Sequence, residues 1–167
     1  LKNQDGGAEV ANTAIGYLAG SNIDLGRENV LVGANVGDSL THADYNVAIG
    51  NGSLGADTLG HKSTAVGYAS LNAQNFTSST DSHNTAVGYF SGVSITTGTV
   101  NTIIGGLAGD ALTDADQNVA VGYRALTTDK KGSKSTALGH KALDAQVFTS
   151  STDAYNTAVG FNAGVAV

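Results

Sequence analysis

Four aspartates keep a fixed place beside a recurring asparagine. Asp44 and Asp116 lie two residues before Asn46 and Asn118, in HADYN and DADQN, and Asp81 and Asp153 lie three before Asn84 and Asn156. Carboxylate and amide oxygens are the donors that a hard cation such as Ca²⁺ collects, about six to eight at a time, so these four are the candidate metal ligands. No D-x-D-x-D-G loop surrounds them, and an Asp in a turn more simply bonds the turn's own amides. The turn role is the preferred reading, and no metal or other cofactor is expected.

The remaining candidates for chemistry are thin. His42, His61, His83 and His140 make neither H-x-H nor H-E-x-x-H, so they read as solvated turn residues. No Ser or Thr sits in G-x-S-x-G or beside a patterned His and Asp, and no hydrolytic triad is expected. GGLAGDAL from Gly105 lacks the long helix and βαβ context of a nucleotide site. Surface chemistry is left. Tyr17, Tyr68, Tyr89, Tyr123 and Phe161 each follow a glycine at an equivalent place, and a ladder of such rings could stack against sugars or, in the preferred reading, against one another and an adjacent chain. The hydroxyls of Ser78, Ser79 and Thr80, and of Ser150, Ser151 and Thr152, form a second candidate contact surface. The sequons at Asn51 and Asn75 matter only in a secretory pathway that glycosylates them.

These residues are positioned by a repeat. A five-residue core of the NTAVG kind occurs nine times, starting at Asn12, Asn29, Asn46, Ser63, Asn84, Asn101, Asn118, Ser135 and Asn156, with starts 17, 17, 17, 21, 17, 17, 17 and 21 residues apart. Residues 12–83 laid over 84–155 give 37 identities in 72. The expected organisation is thus the end of a preceding coil at 1–11, two four-coil blocks at 12–83 and 84–155, and the start of a further coil at 156–167. The phrase FTSSTD, kept in both blocks, lies in the longer fourth unit. Its Phe76 and Phe148 are expected to turn inward, and the residues after them to form an ordered polar bulge.

Period-two alternation in units of this length predicts strands and turns, not paired helices. Stacked units satisfy the backbone as a parallel ladder about 4.8 Å per coil, giving a rod about 40 Å long. The expected class is all-β, a parallel β-solenoid. Within a strand, Thr85 and Val87 share one face while Asn84, Ala86 and Gly88 share the other. The β-branched face is expected to fill the interior, and the small face to admit a neighbouring chain. Further apolar positions follow at Ile23, Leu40, Ile95 and Leu112.

Composition agrees. Aromatic residues make up 6% and charged residues 13% of the 167, against 23 glycines, which is too little bulk for one compact core and too evenly apolar for disorder. There are no cysteines, so disulfides and thiolate chemistry drop out. A net charge of −6 argues against nucleic acid as partner, and no apolar run is long enough for membrane insertion. The chain begins at Leu1 and is read as an excerpt of a longer fibre.

STAVGYAS at Ser63 and NTAVGYFSG at Asn84 resemble the head repeats of YadA-like trimeric autotransporter adhesins, and are similar to NTAVGY-type repeats of phage and viral tail fibres. The resemblance implies a left-handed β-roll wound as a homotrimer, extracellular, on a cell surface or a virion appendage, serving host attachment through a glycan or protein receptor. The coils differ from that adhesin pattern in length, which favours the viral branch. A non-enzymatic attachment fibre is the leading expectation. A tailspike-like glycan-cleaving enzyme would need a unique carboxylate pair, whereas the acids here follow the repeat or lie in turns. A self-assembling filament without receptor binding and an ice-binding solenoid are the other readings, the last disfavoured because the Thr positions are expected to face inward.

Overall fold

The computed structural model describes residues 10–165, so the segments expected at 1–11 and 156–167 lie partly outside the described residues. Their strands are β1 (Thr13–Ile15), β2 (Val30–Val32), β3 (Val47–Ile49), β4 (Gly60–His61), β5 (Thr64–Val66), β6 (Thr80–Asp81), β7 (Thr85–Val87), β8 (Thr102–Ile104), β9 (Val119–Val121), β10 (Gly132–Ser133), β11 (Thr136–Leu138), β12 (Thr152–Asp153) and β13 (Thr157–Val159). Among the described residues there is no helix. Each NTAVG-type segment contributes one strand to a nine-stranded sheet in the order β1-β2-β3-β5-β7-β8-β9-β11-β13, every pair parallel. The fold is an all-β parallel solenoid of about nine coils.

The faces of those strands are the reverse of the sequence expectation. Leu31, Ala48, Ala65, Ala86, Ile103, Ala120 and Ala137, the middle residues, are fully buried. The flanking β-branched residues look outward: Ile15 is 61% exposed, Val87 36% and Val159 65%. The physical reason is the narrow cross-section of a coil whose strands are only three residues long. One inward side chain per strand is all the interior admits, and it is usually Ala.

Asn29, Asn46, Asn84, Asn101 and Asn118, each at the head of a strand, are also inside, where they close a corner. Asn29 Nδ2 donates to Ala43 O at 2.8 Å, and its Oδ1 accepts the backbone N–H of Asn46 at 2.9 Å. Asn46, Asn84, Asn101 and Asn118 repeat that pair of bonds, which satisfies backbone groups that burial would otherwise orphan. At Ser63, which is too short for this, the Gln74 amide takes over. Gln74 Oε1 accepts from Asn84 Nδ2 at 2.9 Å, and Gln74 Nε2 donates to Ser63 Oγ at 3.0 Å.

A second internal column shows how volume is conserved. Where Ile23, Leu40, Ile95 and Leu112 point inward, the residue three places earlier is glycine: Gly20, Gly37, Gly92 and Gly109. Where that earlier residue is Leu54, Leu71, Leu126 or Leu143, the inward place holds Asp57, Gln74, Asp129 or Gln146. A Cβ on Gly37 would stand 2.7 Å from Leu40 Cδ1, so one large apolar side chain per coil fills the space from either position.

The two polar coils then pair with each other. Gln74 Nε2 donates to Asp57 Oδ2 at 2.6 Å, while Asp57 Oδ1 accepts from Gly60 N at 3.1 Å and Phe76 N at 3.3 Å. Phe76 is buried as expected, against Gly60, whereas Phe148 is half-buried against Gly132. The residues after them are ordered by additional two-stranded ladders, β4 with β6 and β10 with β12.

Candidate functional site

Two edges of the solenoid carry the residues singled out by the sequence. The first is the turn that leads into each strand. Asp44 Oδ1 accepts from Arg27 N at 2.9 Å, and Asp116 Oδ1 accepts from Thr99 N at 2.7 Å and Thr99 Oγ1 at 3.0 Å. These aspartates do bond turn amides, but those of the preceding coil rather than their own. Asp81 and Asp153 are held by lysines, Lys62 Nζ at 2.5 Å and Lys134 Nζ at 2.6 Å. Hydrogen bonding to those ammonium groups holds both carboxyls below their ordinary range. Among the described residues no cluster of three or more His, Asp or Glu is arranged to hold a metal.

His61 is not the solvated turn residue expected from its lack of spacing. It is buried, and its Nε2 lies 2.8 Å from Ser79 Oγ while its Nδ1 faces Asp44. The row Ser79–His61–Asp44 has the residue types of a hydrolytic triad, yet its hydrogen bonds run the wrong way. Nδ1 accepts the backbone N–H of Asp44 at 2.9 Å, which leaves the ring proton on Nε2. A nitrogen that already donates to Ser79 Oγ has no lone pair with which to take its proton, as a general base must. In the second block Ser133 replaces His61, and Ser133 Oγ accepts the Asp116 N–H at 2.9 Å. The shared role is satisfying an amide. The other histidines differ again: His42 and His83 are exposed, and His140 stacks between Tyr123 and Phe161 at ring separations of 5.5 and 5.0 Å.

The second edge follows the motif glycines. Tyr68 and Tyr89 stack at 5.5 Å, with Phe90 edge-on to both, so part of this aromatic surface is spent on its neighbours. The row is discontinuous: Ala34 and Asn51 separate Tyr17 from Tyr68, and Gly106 separates Tyr89 from Tyr123. Tyr17 and Phe161 are the most open, at 72% and 74% exposure.

Ser78, Ser79, Ser150 and Ser151 are exposed, and Thr80 and Thr152 half-buried, with Thr80 Oγ1 donating to Ser78 O and Thr152 Oγ1 to Ser150 O, each at 2.9 Å.

Between the two edges lies the feature that sequence reading placed on the wrong side, the outward face of the nine-stranded sheet. Its first row mixes Thr and Val, and its second is aliphatic throughout, from Ile15 to Val159. No known family model matches this chain, and neither a curated protein nor a solved structure matches it significantly.

Proposed function

We propose that the chain is a structural, non-enzymatic segment of a homotrimeric fibre, extracellular and displayed on a cell surface or a virion, that serves attachment to a host. Its coils of 17, 17, 17 and 21 residues wind left-handed in this reading. The observation that carries it is the outward sheet face. Nine strands at about 4.8 Å present an apolar strip about 40 Å long, and a strip of several hundred Å² is the size at which exposed apolar surface marks an interaction site. It runs unbroken along the rod, as contact with an equally long copy requires. The interface is thus the β-branched face, not the Ala and Asn face expected from the sequence. Partners are two further copies and a glycan or protein receptor, with no nucleic acid and no membrane insertion.

Light scattering tests the assembly: a mass three times that of the 16.7 kDa chain is expected. Val66→Lys with Ile104→Lys, both on the outward face, should release folded monomers. A wild-type chain that is folded and monomeric refutes the reading.

A second reading gains from the same observation. Thr13, Thr64, Thr85, Thr102, Thr136 and Thr157 face outward, so the objection to an ice-binding solenoid falls. Val30, Val47 and Val119 interrupt their row, and the aliphatic row beside it offers no hydroxyls, so the fibre is preferred. Thermal hysteresis above that of a protein control would reverse the preference.

A further inference from the structure

The two four-coil blocks differ where the turn edge meets the long coil, and the difference opens a pocket in the second. The imidazole of His61 bridges Asp44 N and Ser79 Oγ in the first block. The equivalent Ser133 reaches Asp116 N and stops. A cavity of about 240 Å³ lies beside it, open to solvent and lined by Thr99, Asp116 and Gln117 and by Lys134, Ser151 and Asp153.

The lining carries spare hydrogen-bonding capacity of both kinds. Among the described residues, no chain group bonds the Ser151 hydroxyl, the Gln117 side-chain amide or Asp116 Oδ2, and the Ser133 hydroxyl, an acceptor from Asp116 N, keeps its own proton to donate. Lys134 and Asp153 neutralise each other at 2.6 Å, which leaves Asp116 as the unneutralised charge of the pocket. A single carboxylate disfavours anionic ligands. A divalent cation would need about six to eight oxygens. The volume lies below the roughly 300–1,000 Å³ of drug-sized sites, so it admits one ring rather than a chain.

We propose that this pocket is a saccharide subsite that takes one neutral pyranose ring by two adjacent hydroxyls, one donating to Asp116 Oδ2 and the other bonded by Ser133, Ser151 or Gln117. The inference rests on the attachment reading for the purpose of the ligand and stands or falls by its own binding test. A small polar site open to solvent implies a dissociation constant on the order of 1 mM.

The test uses the intact chain with methyl glycosides of glucose, galactose, mannose and N-acetylglucosamine as probes, alongside N-acetylneuraminic acid and Ca²⁺. Saturation-transfer NMR should detect at least one neutral glycoside. Ser133→His copies a side chain that the fold already accommodates at His61, and should weaken that binding at least tenfold without changing the melting temperature. No neutral glycoside bound, binding of Ca²⁺ or of the acidic sugar alone, or binding indifferent to Ser133→His overturns the subsite. Glycan attachment that survives Ser133→His leaves the attachment reading standing without it. A glycoside bound in the pocket of a fibre that adheres to no cell does the reverse.

Discussion

Gly88→Ala is the sharpest perturbation of the stack. Gly88 closes strand β7 at φ 140°, and a Cβ there would lie 2.6 Å from both C and O of Gly105 in the next coil and 3.0 Å from Gly106 N. The obstacle is backbone, so no rotamer relieves it. Strain at such a φ costs about 1–3 kcal/mol. Moving the coils apart also weakens the flanking bonds Gly105 N→Val87 O at 2.8 Å and Leu107 N→Tyr89 O at 2.9 Å, at about 0.5–1.5 kcal/mol each. The sum is about 2–6 kcal/mol.

Gly92→Ala, four residues on, supplies the comparison. Gly92 has φ 57°, and its Cβ would meet only side-chain ends, Ile95 Cδ1 at 3.0 Å and Leu71 Cδ2 at 3.1 Å. The chain itself places Leu71 and Leu126 at the equivalent position with φ 48° and 56°. A left-handed non-glycine residue costs about 1–2 kcal/mol, part of which the lower entropy of the unfolded variant offsets. Urea denaturation followed by far-UV circular dichroism, at one chain concentration, compares the two variants. Gly88→Ala should lose about 2 kcal/mol more than Gly92→Ala, close to the difference between the midpoints of those ranges. Equal losses would mean that close approach of successive glycines does not hold the coils together.

Ala86→Glu should destabilise by several kcal/mol, because Ala86 is fully buried inside its own coil and the new carboxylate has no partner there. Asp81→Ala removes only the exposed ion pair with Lys62 and should barely move the thermal midpoint, so similar midpoints for the two variants would refute the assignment of faces. Burial raises the Asp57 carboxyl above its ordinary 3.8, opposed by Gln74 and by the amides of Phe76, Gly60 and Thr58. The folded state therefore keeps this proton longer than the unfolded one, and the associated stability is present below 3.8 and lost as pH rises through the raised value. Asp57→Asn lacks that titration, so urea midpoints should show it gaining on the wild type between about pH 3 and pH 7; a gap that is constant or moves the other way would contradict the sign.

Periodicity was legible in the sequence because it is a property of spacing alone. The nine motif starts predict the strands, and residues at the same place in successive motifs, Thr13 and Val30 or Thr64 and Thr85, are those that pair. The inward turn of Phe76 followed in the same way. Which face of each strand looks inward was not legible, since alternation assigns residues to two faces without saying which encloses the core. The coil's cross-section decided it, leaving room for Ala86 inside and Val87 out. The exchange of Gly–Ile for Leu–Asp or Leu–Gln was present in the letters, but its meaning depended on Gly37 and Leu40 competing for one volume. The row Ser79–His61–Asp44 and the pocket beside Ser133 join residues from successive coils. Stacking brings those together, and it is the direction of one hydrogen bond from Asp44 N that makes His61 an acceptor rather than a base.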